Sequence, residues 1–188
     1  MSTALARIRE LVPKGGFVVL DTETTGIDYR AEIVQIAIVD AEGQALLDSL
    51  VRPTRPIPPD AVAIHGITDA MVANAPTFAE LEPMVRQAIQ DRIVIVYNAE
   101  YDMRLLQQSA RAHGLATNFR EVAQRWLCAM RAYAEYRNEP GWRYGEPRWH
   151  RLEHAAAFEG IIVENAHSAL ADCLTTLALV RKLAALSP

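Results

Sequence analysis

Apolar residues cluster in short runs along the first half of this chain, and the runs differ in period. "FVVL" (17–20), "IVQIAIV" (33–39) and "ALLDSLV" (about 45–51) are rich in β-branched residues and read as strands. The segments joining them are too short for crossover helices, so the spacing predicts an antiparallel meander. "PTRPIPP" (53–59) reads as an extended loop, because proline removes donors that a helix interior or a central strand needs. Residues 1–14 read as a short helix or a loose arm.

Beyond residue 75 the pattern becomes helical. A helix is predicted over 77–90, with Thr77 as its cap and Glu80 three residues on. "IVIVY" (93–97) reads as a buried strand, followed by a helix at about 102–113 ending at Gly114. A strand near 126–128 and helices near 129–136, 149–159 and 168–186 complete the chain. A meander followed by strand–helix alternation gives an α/β fold, a mixed sheet flanked by helices. With 188 residues and no linker or repeat, one domain over 1–188 with a core at about 17–186 is expected.

Composition narrows the function classes. No apolar run is long enough to span a membrane, and "MSTALARIRELVPKGG" lacks the apolar stretch of a signal peptide. Two distant cysteines, Cys128 and Cys173, have no metal-ligand spacing and make a disulfide framework improbable; a cytoplasmic protein is expected. Residues 120–151 are net +3, which leaves −7 in the rest of a chain whose total is −4. This segment also holds all three tryptophans. It reads either as a solvated loop with some core aromatics or as a surface offering Arg to phosphates and rings to bases. Trp142, Arg143 and Arg148 are the candidates for the second role, since no helical or strand period claims them for a core.

The chemistry starts at "FVVLDTETTGI" (17–27), where a buried strand ends in Asp21 and Glu23. Residues two apart on a strand share a face, and two such charges about 4 Å apart repel by roughly 4 kcal/mol at an effective dielectric near 20. Either water screens the pair or something positive lies between them. Asp102, in "NAEYD" after the buried strand, reads alone as a helix cap. Asp172 reads alone as the edge of an exposed helical face, and His167 as a surface histidine. His167 and Asp172 are five residues apart, about 140° around a helix, so they converge only if His167 lies in the turn before it. Asn165 and Ser168 are the cap candidates there. "DTETTGIDYRAE" also mimics a calcium-binding EF-hand loop, but its strand-like flanks, Glu23 at position 3 and Asp28 at position 8 count against it.

Taken in order, "DTETTG", "NAEYD" and "HSALAD" resemble the three motifs of the DnaQ-like (DEDDh) 3′–5′ exonucleases, and "AIHGITDAMV" (63–72) resembles the loop between the first two. The likeness runs from about Phe17 to Leu183 and is strongest to exonucleases of the exodeoxyribonuclease X and DNA polymerase III epsilon types. It implies a ribonuclease H-like fold with a five-stranded sheet. Asp21, Glu23, Asp102 and Asp172 would then be metal-site acids and His167 the general base. Ile27 would wedge against terminal bases, and Thr24 and His65 would approach the terminal nucleotide. Two divalent ions, Mg²⁺ or Mn²⁺, suit such hard oxygen ligands and would answer the repulsion between Asp21 and Glu23. DNA 3′ ends are the expected substrate and 5′-mononucleotides the product, in repair or proofreading, with a polymerase subunit as a further partner. RNA ends are the second reading; a non-catalytic nucleic-acid-binding module is a third, though none of the acids is missing. Tyr97-Asn98 departs from the His-Asn that many relatives carry before the second motif.

Overall fold

The computed structural model describes residues 3–141, 145, 147–163 and 167–185. Trp142, Arg143 and Asn165, singled out above, lie outside the described residues. Helix α1 (Ala4–Leu11) is capped by Thr3 and runs into a 3₁₀ turn, Val12–Lys14. Its first amides, Ala4 N–H and Leu5 N–H, donate to the Glu135 carboxylate, so the N-terminal segment is a docked helix.

Strands β1 (Phe17–Thr24), β2 (Ile33–Asp40) and β3 (Ala45–Leu50) form the predicted meander. Strands β4 (Ile93–Val96) and β5 (Arg125–Cys128) add in parallel on the other side of β1, giving the order β3-β2-β1-β4-β5. Between β3 and β4 come α2 (Pro59–His65), α3 (Asp69–Val72) and α4 (Phe78–Ile89). The first two were not legible in the proline-rich stretch. Pro59 opens α2 at its first helical position, where the missing N–H costs nothing. For α4 the capping box is present as predicted, Thr77 and Glu80 bonding each other reciprocally.

Helix α5 (Ala99–Ala112) follows β4, α6 (Phe119–Val122) precedes β5, and α7 (Ala129–Arg137), α8 (Leu152–Phe158) and α9 (Ala169–Ala185) follow it. The helix expected from 149 begins only at Leu152, so Trp149 and His150 belong to the extended segment before it.

Strand alternation divides the core in two. Val18 and Leu20 pack with Leu81, Val85, Leu105 and Leu106 from α4 and α5. Phe17 and Val19 pack with Ile8, Tyr133, Cys173 and Leu177 from α1, α7 and α9. Several of the expected core aromatics of the Arg/Trp region are there: Tyr133 is fully buried and Trp126 packs against the α5-side cluster. Among the described residues, no helix is long and apolar enough to cross a membrane.

Candidate active site

Strand β1 runs four residues past its apolar stretch, so the alternation that builds the core also aims the acids. Asp21 and Glu23 continue the α9 side of the sheet, and Thr22 and Thr24 continue the α5 side. On the α9 side, Cys173 donates its S–H to the carbonyls of Val19 and Ala37, fixing the helix over β1 and β2. Gln35 stands beside Glu23 in the β1–β2 register and accepts from Ala169 N–H at 3.2 Å, anchoring the start of α9. Asp172 is thereby delivered to the end of β1. Asp21, Glu23 and Asp172 each offer a carboxylate oxygen, all within 4.8 Å of one another.

Asp102 approaches from the other side. The parallel register pairs Val19 with Ile95, so β4 ends beside Leu20 and the first turn of α5 meets the tip of β1. Since α5 begins at Ala99, Asp102 is inside the helix and 4 % exposed; it does not cap it. Thr22 Oγ1 donates to Asp102 Oδ1 at 2.8 Å.

Four acids therefore meet at one sheet end, and their titration reflects it. Burial, then the charges of Asp102, Asp172 and Glu23, raises Asp21 well above the usual carboxylate range. Burial and the charges of Asp172 and Asp102 raise Glu23 to about 7. Burial raises Asp102 to about 7 despite the opposing Thr22 bond, and it raises Asp172 too, partly offset by the ring and backbone amide of His167. Among the described residues, no lysine or arginine forms a salt bridge with any of the four. A concentrated set of hard oxygen donors without a protein cation fits a divalent metal of the Mg²⁺ or Mn²⁺ kind.

His167 stands in the turn before α9 with φ +67°, the placement required for it to converge with Asp172. It is exposed, and with Asp172, Arg151, Glu153 and Thr175 it lines a cavity of about 180 Å³. Ser168 O accepts Asp172 N–H at 2.9 Å, completing the first turn. His65, at the end of α2, comes to the same place. Its Nδ1 accepts from Ile67 N–H, so Nε2 carries the proton and donates to Thr24 O at 3.2 Å. Burial and the nearby His167 lower its pKa, against the Thr24 bond, so the ring is held neutral.

Thr24 is 8 % exposed, with its hydroxyl committed to Gly26 O and Tyr101 OH. The Thr24 side chain thus shapes the following loop. Tyr101, Arg104 and Gln108, at helical spacing on α5, hold the carbonyls of Gly26, Ile27, Asp28 and Ala31. This leaves Ile27 82 % exposed on a pinned loop. The EF-hand pattern does not form a calcium loop: strands flank it, and both oxygens of Glu32 are taken by Thr54.

Sequence reasoning missed Thr22, Gln35 and Tyr101. Thr22 was signalled by its position between two acids; the other two depend on long-range pairing that no local pattern carries. Arg148 is exposed, with its guanidinium 3.5 Å from Glu139 and its backbone N–H donating to Glu139 O. Tyr97, the departure before the second motif, donates its hydroxyl to His150 O at 2.7 Å and ties that segment to the sheet.

Known proteins share this arrangement of chain. The family model described as Exonuclease (RNase_T) matches residues 18–180. The chain is 48% identical over 168 residues to uncharacterized exonuclease CP81 of Escherichia phage 186, covering 88% of this chain and 86% of that one. It is 32% identical to exodeoxyribonuclease 10 of Escherichia coli K12 over 167 residues, 86% of this chain but 66% of that protein. Among solved structures, exonuclease X in complex with 5′ overhanging duplex DNA matches with a TM-score of 0.60 and 30% identity, over 89% of this chain and 90% of that one. Sheet order, motif order and these likenesses agree, and the chain belongs to the DnaQ-like exonuclease family.

Proposed function

We propose that this chain is a single-domain, metal-dependent 3′–5′ exonuclease that digests DNA ends to 5′-mononucleotides. The observation that carries this reading is the carboxylate trio of Asp21, Glu23 and Asp172, gathered from β1 and α9, with His167 beside it. Asp102 joins the trio through its charge and its Thr22 bond. Together the four acids would hold two divalent ions, Mg²⁺ or Mn²⁺. When bound, the ions supply positive charge that lowers the cost of ionising water and of releasing the 3′ oxygen. His167, which lines a cavity with Asp172, would take the proton of the attacking water. Neutral His65 steadies the Thr24 carbonyl at the mouth of the site, and exposed Ile27 meets the terminal base. DNA is the substrate favoured here, on the likeness to exodeoxyribonuclease 10 and to exonuclease X in its DNA complex.

End-labelled oligonucleotides test polarity and sugar together. With Mg²⁺ or Mn²⁺, a 3′ label on DNA should leave at once as a mononucleotide, while a 5′ label reports a ladder shortening from the far end. Release of the 5′ label first would refute the polarity, and faster digestion of a matched RNA would refute the choice of DNA. Conversion of Asp21→Asn should abolish both signals without unfolding the chain.

A further inference from the structure

The outer face of α5 carries Glu100, Arg104, Gln107, Gln108 and Arg111, a stripe with helical spacing opposite the buried Asp102. Two cavities of about 530 and 320 Å³ lie along it and share Tyr29, Gln108 and Arg111. Arg104 and Arg120 line the first, and Arg30 and Arg55 line the second. Five arginines from distant parts of the sequence thus meet in one trough. Among the described residues, none of them forms a salt bridge. The trough contains two carboxylates, Glu100 and Glu32, and Glu32 is spent on Thr54. The basic segment at 137–151 contrasts with this: Arg137 and Arg148 lie against Glu139, and Arg151 against Glu153.

Position matters as much as charge. The loop after β1 leads from Glu23 of the acid trio to Tyr29, which lines the trough, with exposed Ile27 between them. His167 and its cavity lie on the α9 side of the sheet, while the trough lies on the α5 side. If Ile27, which meets the terminal base in the reading above, parts the two strands of a duplex end, the strand ending at the trio lies on its α9 side and the paired strand lies on its α5 side, over the trough. From Arg104 to Arg111 the stripe spans about 10 Å at 1.5 Å per residue, the axial rise of about three nucleotides of a duplex strand.

We propose that this arginine trough binds the sugar–phosphate backbone of the uncleaved strand, so that the protein engages duplex ends astride Ile27. This rests on the exonuclease reading above. The triple variant Arg55→Gln, Arg111→Gln, Arg120→Gln tests it, because these side chains are exposed and touch none of the acids. Binding is measured by fluorescence anisotropy in a cleavage-dead Asp21→Asn background, on a blunt hairpin duplex and on a single strand of the same sequence. Duplex Kd should rise roughly tenfold or more, and its salt slope should flatten by about two to three counterions. Single-strand Kd, and single-strand kcat in the active background, should not change. Lysine at the same three positions should restore duplex binding, since a point charge suffices for phosphate. Equal losses on both substrates would overturn the proposal by showing that the trough holds the cleaved strand. Unchanged duplex binding would overturn it in favour of a protein partner or none. If the unmodified protein cleaves single strands but does not bind the hairpin, only this proposal fails; if it cleaves neither, the exonuclease reading fails with it.

Discussion

Removing a charge from the acid trio should stabilise the metal-free protein, the reverse of what deleting a half-buried polar group usually does. Asp172→Asn is the perturbation. With ligand oxygens no more than 4.8 Å apart, each ionised pair repels by about 3 kcal/mol or more at an effective dielectric near 20. The rise of Glu23 from 4.5 to about 7 has burial as its largest cause and the charge of Asp172 as the next, so removing that charge relieves only part of it. Partial access of Glu23 to water and loss of the attraction between Asp172 and His167 trim the gain. At pH 8 in EDTA the variant should be more stable by about 2–4 kcal/mol, which for a chain of this size raises Tm by roughly 4–16 °C.

The pH dependence follows from the sign of the shifts. All four acids hold their protons more tightly folded than unfolded, so the folded state binds more protons between about pH 4.5 and 7, and stability falls as pH rises through that window. The unmodified protein should therefore melt higher at pH 5.5 than at pH 8 in EDTA, and the advantage of Asp172→Asn should shrink at the lower pH. Mn²⁺ at pH 8 should reverse the order if, as proposed, the unmodified trio holds the ion and the variant, with one ligand fewer, holds it weakly. Differential scanning fluorimetry across pH, with EDTA or Mn²⁺, reads all of this. Unmodified protein as stable at pH 8 as at 5.5, or an Asn variant that melts lower in EDTA at pH 8, would refute the reasoning.

Two other perturbations separate positioning from chemistry. Thr22→Val keeps the volume but removes the hydroxyl that holds Asp102, so turnover should fall by about tenfold and Mn²⁺ affinity should weaken, as for other groups that orient metal ligands; unchanged Mn²⁺ affinity by calorimetry would show that Asp102 needs no such support. His167→Asn should preserve melting temperature, because Asn tolerates φ +67° better than most residues, while turnover at saturating DNA drops by about 10² to 10⁴; a rise in KM with turnover unchanged would make the histidine a substrate contact instead of the base.

The features readable from sequence were those set by local periodicity. "FVVL" and "IVIVY" announced buried strands, the short connections announced the meander, and Thr77 with Glu80 announced α4. Alternation also announced that Asp21 and Glu23 share a face. What local periodicity did not carry was pairing. Asp102 looked like a cap because nothing local says that α5 begins three residues earlier and that Thr22 waits across the sheet. The pairing of Glu139 with Arg137 and its 3.5 Å approach to Arg148 were likewise not announced by any period.

Charge shows the same limit most clearly. Along the chain the positive residues concentrate at 120–151, and a linear reading places nucleic acid there. Folding redistributes that charge, since Arg137, Arg148 and Arg151 of the segment meet Glu139 and Glu153, while its Arg120 joins Arg30, Arg55, Arg104 and Arg111 at α5. The helix then has two unlike faces. Its buried face inserts Asp102 among acids that repel one another, which suits cations; its outer face adjoins arginines that, among the described residues, form no salt bridge, which suits anions. A nucleic acid with metal ions at its reacting phosphate satisfies both demands at once, because the ions answer the first face and the backbone answers the second. A metal alone would answer only the first face, which is why the two faces of α5 favour the proposed nucleic-acid substrate over a metal-binding module.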